Sequence, residues 1–171
     1  MTKLPQVLVS VNAVVPVLSV SPVQEDHEVL EGILNGSESN WDVVKTDTLP
    51  SALSLLRERW FPIVICERDM AGGGWKSVLE DPGGGLGPTS VIVTSRLADE
   101  QLWAEALNLG AYDVLAKPFD RQEVYRVVDS AWRHWTNSHS DGRSPARPVA
   151  ADWHKTAVAA AIRNFAAPDQ P

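Results

Sequence analysis

Short apolar segments rich in valine and isoleucine alternate along the chain with longer segments of helical periodicity. Residues 63–65 (Ile-Val-Ile) and 91–93 (Val-Ile-Val) are entirely apolar, which is typical of strands buried on both faces of a parallel sheet. Strands that alternate with helices predict βαβ units and therefore an α/β domain. We expect five strands, at residues 15–20, 41–45, 62–66, 90–94 and 113–115.

The helices are predicted from apolar residues that recur three or four positions apart. Leu102, Ala106 and Leu109 follow this spacing, so they mark one face of a helix. Asp120 is placed as an N-cap, and Gly110 stands where a left-handed residue ends a helix. We expect five helices, near residues 25–34, 51–59, 75–80, 99–109 and 121–135. Five strands and five helices suit one small doubly wound domain.

The 171 residues suffice for one domain with a sizeable core and an appendage. We assign residues 14–136 to the domain and 1–13 to an N-terminal extension. Residues 137–149 are rich in serine, proline and arginine, which predicts a solvated linker. Residues 150–167 are alanine-rich with apolar residues along one side, which predicts a C-terminal helix. That helix could pack on its own domain or on a partner.

Composition excludes several classes of function. With 22 acidic and 15 basic residues the net charge is −7, which disfavours direct binding to nucleic acid. Cys66 is the single cysteine and lies in an apolar segment, so we expect a core residue in a reducing cytoplasm. Polar residues and proline interrupt residues 7–20, which argues against a membrane span or a signal peptide. The four histidines lack metal-ligand spacing, so no zinc site is predicted.

Two glycine-rich segments resemble nucleotide-binding loops superficially. Residues 71–77 end in Lys-Ser, but Trp75 stands where a phosphate-binding loop needs glycine. Residues 82–88 precede a strand, whereas a dinucleotide-binding loop follows one. We therefore interpret both segments as turns or connections and predict no cofactor.

The ends of the predicted strands carry the polar residues of a candidate pocket. In open parallel sheets, ligands bind beyond the carboxyl ends of the strands, where the strand order reverses. These positions hold Ser21 and Pro22 after the first strand, Glu67 after the third, Thr94 on the fourth and Lys117 after the fifth. A lysine at a strand end is a tethered cation directed into such a pocket.

Residues 110–119 (Gly-Ala-Tyr-Asp-Val-Leu-Ala-Lys-Pro-Phe), with the helix before them, resemble the fourth helix and fifth strand of response-regulator receiver domains. The resemblance implies a flavodoxin-like fold. It places Glu67 at the position of the phosphate-accepting aspartate. It also implies that Thr94 and Lys117 correspond to the hydroxyl and the lysine that contact the phosphoryl group, and that the bond from Lys117 to Pro118 is cis.

Three departures from the family pattern affect the phosphorylation chemistry. Ser21 and Pro22 stand where the family has an acidic pair, and Mg²⁺ requires such hard oxygen ligands. The carboxylate of Glu67 stands about 1.5 Å further from the backbone than that of aspartate. Val114 stands at the position of the family's aromatic switch residue. Nearby Glu25 and Asp26 could supply ligands in place of the pair, but they are more readily explained as helix N-terminal charges that complement the helix dipole.

The sequence therefore predicts a pseudo-receiver, a non-enzymatic module that signals by protein contact without aspartyl phosphorylation or Mg²⁺. Its partner would be a histidine kinase or a downstream effector, and it could form a homodimer through the fourth helix, fifth strand and fifth helix. Two alternatives stay open. One is a receiver phosphorylated on Glu67 or Asp69 with a rearranged metal site, and the other is a flavodoxin-like module that binds a cofactor such as a flavin.

Overall fold

The computed structural model describes residues 14–36, 40–81 and 89–140, with the side chains of 138–140 excepted. Five parallel strands form one sheet in the order β2-β1-β3-β4-β5. The strands are β1 Val15–Val20, β2 Trp41–Thr46, β3 Ile63–Glu67, β4 Ser90–Ser95 and β5 Asp113–Ala116. The helices are α1 Gln24–Asn35, α2 Leu49–Glu58, α3 Trp75–Glu80, α4 Glu100–Leu109 and α5 Arg121–Ser140. The flavodoxin-like α/β fold predicted from the sequence is confirmed.

Alternation along the strands divides the core into two layers, because successive side chains point to opposite faces of a sheet. Val64 and Cys66 of β3 face α2, α3 and α4, whereas Ile63 and Ile65 face α1 and α5. Burial raises the pKa of the Cys66 thiol to about 12, as expected for an inert core residue. The helices contribute to the first layer Leu49, Ala52, Leu56, Trp75, Val78, Leu102 and Ala106.

Local signals fix the helix ends much as the sequence predicted. The Asp120 carboxylate accepts a hydrogen bond from the Glu123 backbone N–H at 2.9 Å, and Asp99 accepts from Leu102 N–H at 2.8 Å. Gly110 adopts the left-handed conformation at φ 101° and ends α4. Since these caps are set by neighbours in sequence, the predicted boundaries lie within two residues of most observed ones.

The end of α5 departs from expectation. The helix runs to Ser140, whereas we expected it to end at residue 135 and the linker to begin at 137. Trp132 and Trp135 stack with ring centroids 5.1 Å apart in the preceding turn. A packed turn extends readily, because each further residue then adds a hydrogen bond without a new nucleation step. The predicted N-terminal extension, the rest of the linker and the C-terminal helix at 150–167 lie outside the described residues.

Candidate functional site

The carboxyl ends of β1, β3, β4 and β5 converge on a polar pocket beside the point where the strand order reverses. Lys117 follows β5, and its ammonium group contacts the carboxylates of Glu67 and Asp26. The side chains of Lys117, Asp26 and Glu67 are 8%, 12% and 10% exposed, so all three charges lie largely out of solvent. We call this arrangement the charge triad.

Glu67 is the last residue of β3, and its carboxylate has three partners. Lys117 Nζ and Thr94 Oγ1 both donate to Oε2, the latter at 3.2 Å. The backbone N–H of Asp69 donates to Oε1 at 3.4 Å. The predicted residues Glu67, Thr94 and Lys117 are therefore brought together, and the Lys117–Pro118 bond is cis as the resemblance implied.

Asp26 is a member of the pocket that the sequence interpretation missed. It lies in the first turn of α1, where we explained it by the helix dipole, but its carboxylate faces Lys117. Ser21 Oγ donates to Asp26 Oδ2 at 2.5 Å, and so links the end of β1 to the triad. A signal was present in the spacing, because Asp26, Leu30 and Leu34 recur every four residues on the buried face of the helix.

The pocket does not fit the Mg²⁺ site that the family implies. The resemblance places Ser21 and Pro22 at the positions of the acidic pair, and the Ser21 hydroxyl is already bonded to Asp26. The two carboxylates present share Lys117 as their cation. Across residues 14–36, 40–81 and 89–140 there is no cluster of three metal-ligating His, Cys, Asp or Glu side chains. Because Lys117 already offsets part of their charge, the two carboxylates offer less negative charge to compensate the dehydration of Mg²⁺.

Residues near the pocket mouth have other roles. Asp69 is 82% exposed on its side chain and lies 3.8 Å from Arg68, so its carboxylate does not join the triad. Gly72, Gly73 and Gly74 all have positive φ, which is consistent with a turn. Trp75, which excluded the phosphate-loop motif, is buried at the start of α3.

Val114, which the resemblance places at the family's switch position, is a core side chain. Val114 is fully buried in β5 and packs in the same layer as Leu102 and Ala106 of α4. The nearby ring of Tyr112 packs on the opposite layer, and its hydroxyl hydrogen-bonds Ser130 of α5 at 2.8 Å. Val114 has no ring, and the ring of Tyr112 lies on the side of the sheet opposite α4, so neither residue can turn an aromatic ring between the pocket and the α4 surface.

The described residues include no helix with the length and apolarity needed to cross a bilayer.

A charged group of unusual pKa lies at the start of β5, away from the triad. Burial raises the pKa of the Asp113 carboxyl to about 6, against the opposing effects of a hydrogen bond from Val114 N–H and the positive charge of Arg126.

Several solved structures share this architecture. The chain is similar to the signal receiver domain of a putative Luxo repressor protein from Vibrio parahaemolyticus, with TM-score 0.67 and 16% identity over 77% of this chain and 100% of that one. It is also similar to the receiver domain of an HD domain-containing protein from Pseudomonas fluorescens Pf-5, with TM-score 0.65 and 23% identity over 77% and 96% of the two chains. A third similar structure is a putative response regulator from Chloroflexus aurantiacus J-10-fl, with TM-score 0.63 and 21% identity over 71% of this chain and 99% of that one.

At these identities the structural similarities establish the fold alone. No curated protein sequence matches the chain. The family model described as the response regulator receiver domain matches residues 17–129, well over half of the chain. The chain therefore belongs to the response-regulator receiver domain family, the signalling modules of two-component systems.

Proposed function

We propose that this protein is a pseudo-receiver, which signals through protein contact and does not depend on aspartyl phosphorylation or on Mg²⁺. The observation that carries the proposal is the position of Lys117 between Glu67 and Asp26. In this arrangement the cation of the pocket is already neutralised by two carboxylates of the same chain. Lys117 therefore already has anionic partners within the chain and needs no phosphoryl group as a counter-charge, and the two carboxylates leave the pocket one negative charge in excess.

The chemistry of phosphoryl transfer supports this proposal. Transfer to a carboxylate depends on a metal ion and positive charge that stabilise the moving group, with little other help from the protein. Here both pocket carboxylates are already paired with Lys117, and Glu67 is also bound by Thr94. We therefore assign Glu67 the role of a standing anion, loosely similar in charge and reach to a phosphorylated aspartate.

The two alternatives fit the site less well. Phosphorylation of Asp69 would require a nucleophile beside Lys117, whereas its carboxylate is 82% exposed and lies near Arg68. Phosphorylation of Glu67 would require the triad to open. A flavin would require an apolar slot for its ring, and the strand ends here present ionic side chains instead. We expect the purified protein to be colourless.

The proposed partner is another protein, either a histidine kinase or a downstream effector in the cytoplasm. The surface formed by α4, β5 and α5 is the proposed contact face, and a homodimer through it is one form of that contact. Leu109 at the end of α4 is half exposed on this face. We propose no enzymatic activity and no direct contact with nucleic acid or membrane.

The proposal is tested by incubating the full chain with acetyl phosphate and Mg²⁺ and measuring its intact mass, with a phosphorylatable receiver treated in parallel. We expect no added phosphoryl group on the wild type, and an unchanged sedimentation coefficient with and without the phosphodonor. A stable phosphoryl adduct would refute the proposal. Glu67→Gln and Asp69→Asn would then show which carboxylate accepts the group.

The Glu67→Asp variant is a sharper control, because it restores the acceptor residue of the family. It should also remain unmodified, since Ser21 and Pro22 still replace the acidic pair and Asp26 still holds Lys117. Modification of this variant but not of the wild type would show that Glu67 by itself blocks the chemistry. That result would show that the pocket supports phosphoryl transfer without the acidic pair.

A further inference from the structure

A buried histidine lies one residue beyond Asp26 in α1 and has a partner on each ring nitrogen. His27 is 2% exposed. Its Nε2 lies 3.0 Å from the backbone oxygen of Ser21, and its Nδ1 lies 2.8 Å from Ser19 Oγ. Because a carbonyl oxygen only accepts, Nε2 donates the hydrogen bond to Ser21, and Nδ1 shares a second hydrogen bond with the Ser19 hydroxyl.

The contact with Ser21 connects the histidine to the charge triad. The same Ser21 donates its hydroxyl to Asp26 Oδ2, the oxygen that also contacts Lys117. The Ser21 backbone N–H donates to the Thr46 carbonyl of β2 at 3.1 Å. The backbone of Ser21 is therefore held on one side by the neighbouring strand and on the other by the imidazole, and this places its side chain beside Asp26.

We propose that His27 is a positioning residue of the triad, which holds Ser21 so that the Ser21 hydroxyl and the Asp26 carboxylate keep Lys117 in place. The proposal deepens the proposed function, on which it rests, because it identifies what keeps the pocket closed in the absence of a phosphoryl group. It also makes α1 the element through which the state of the pocket can be altered, since α1 carries both His27 and Asp26.

A histidine that merely fills the core would make a different prediction. Loss of such a residue would loosen α1 generally, whereas loss of a positioning residue would specifically release Lys117. Leu30 supplies the matched control, because it lies on the same buried face of α1 and packs among apolar side chains. Truncation of Leu30 weakens the packing of the helix without removing any of the hydrogen bonds that join His27, Ser21 and Asp26.

The test measures the accessibility of Lys117 directly in the full chain. A water-soluble amine-acylating reagent is applied under folded conditions, and the labelling rate of Lys117 is followed by peptide mass spectrometry. The NMR signal of its ammonium group, which is visible when its hydrogens exchange slowly, gives an independent readout. Lys76, whose side chain is 47% exposed and pairs with Glu105 at the surface, is the internal reference for a solvent-accessible amine.

We expect His27→Leu to raise the labelling rate of Lys117 about tenfold, the factor that corresponds to the loss of one buried hydrogen bond. His27→Gln, whose amide keeps a donor for the Ser21 carbonyl, should restore most of the protection. Ser21→Ala, which removes only the hydroxyl, should resemble His27→Leu and serves if that variant folds poorly. Leu30→Ala should leave the ratio of Lys117 to Lys76 labelling near the wild-type value.

The outcomes separate this inference from the proposed function. If Lys117 of the wild type is labelled as fast as Lys76, the triad does not persist in solution and both proposals fall. If the wild type is protected and His27→Leu or Ser21→Ala does not change that protection, the positioning role is overturned while the pseudo-receiver proposal stands. Equal effects of His27→Leu and Leu30→Ala would likewise overturn the positioning role.

Discussion

Two carboxylates share one buried ammonium group in the pocket, and this unequal count predicts an unusual response to mutation. Replacing Asp26 with asparagine, or Glu67 with glutamine, removes one anion and leaves a balanced pair with Lys117. The charged hydrogen bond that is lost stabilises the protein by about 1.5–3 kcal/mol, but repulsion between the two carboxylates is relieved at the same time. Each single variant should therefore lower the free energy of unfolding by less than about 2 kcal/mol.

The double variant removes both anions and should behave differently. Lys117 is 8% exposed, and no other carboxylate of the described residues lies within ion-pair distance of its ammonium group. Breaking a buried ion pair so that one charge is left without a partner costs about 3–5 kcal/mol. If each single change costs about 1 kcal/mol, the double variant should lose at least about 1 kcal/mol more than their sum.

The assay is urea unfolding of the four proteins at pH 7, followed by circular dichroism. The dependence of the free energy of unfolding on urea should be the same for all four, because the surface exposed on unfolding does not change. The exposed pair of Arg57 and Asp81, with side chains 59% and 43% exposed, is the matched control. Its two single changes should cost less than about 1 kcal/mol each. Additivity of the triad variants within about 0.5 kcal/mol would refute the reasoning.

Two further predictions concern β5 and the glycines. Burial raises the pKa of Asp113 to about 6. Above that pH the buried charge of Asp113 destabilises the folded protein, and this destabilisation disappears as the pH falls towards 4. Asp113→Asn should therefore raise the free energy of unfolding by about 1–3 kcal/mol at pH 8 and by little at pH 4, and a difference independent of pH would contradict the assignment. Gly74 has φ 61°, and an added Cβ would lie 2.7 Å from the Arg68 carbonyl oxygen, so Gly74→Ala should lower the melting temperature by an amount equivalent to about 2–3 kcal/mol. For Gly32 in α1, nothing lies within 4 Å of an added Cβ, so Gly32→Ala should raise the melting temperature by an amount equivalent to up to about 1 kcal/mol. Equal decreases in melting temperature for the two variants would rule out the close contact at Gly74 as the cause.

Much of the fold follows from short-range patterns. The apolar segments at 63–65 and 91–93 identify strands buried on both faces, and the observed β3 and β4 contain them. Asp120 and Gly110 mark helix ends through bonds to near neighbours. Parallel strands bring their carboxyl ends to one edge of the sheet, so Glu67, Thr94 and Lys117 could be grouped before the structure was known.

The second anion of the pocket, Asp26, does not lie at a strand end, and its spacing to Leu30 and Leu34 indicates only the buried face of α1. A carboxylate in the first turn of a helix has two physically reasonable destinations, the solvent near the positive end of the dipole or the interior. Glu25 and Asp26 are adjacent in sequence, yet Glu25 is exposed and Asp26 is buried. What separates them is the rotation of α1 about its axis, which is set by the packing of Leu30 and Leu34 beneath the sheet.

The sequence by itself determined the elements, their order and the residues at the strand ends, because propensities, caps and hydrophobic periodicity act between residues close in the chain. The tertiary structure decided which charges meet. Asp26 and Lys117 are separated by 91 positions, and their contact exists because β1, β3 and β5 place α1 over the same edge of the sheet. Long-range ionic contacts of this kind depend on the final packing of whole elements, which no local pattern specifies.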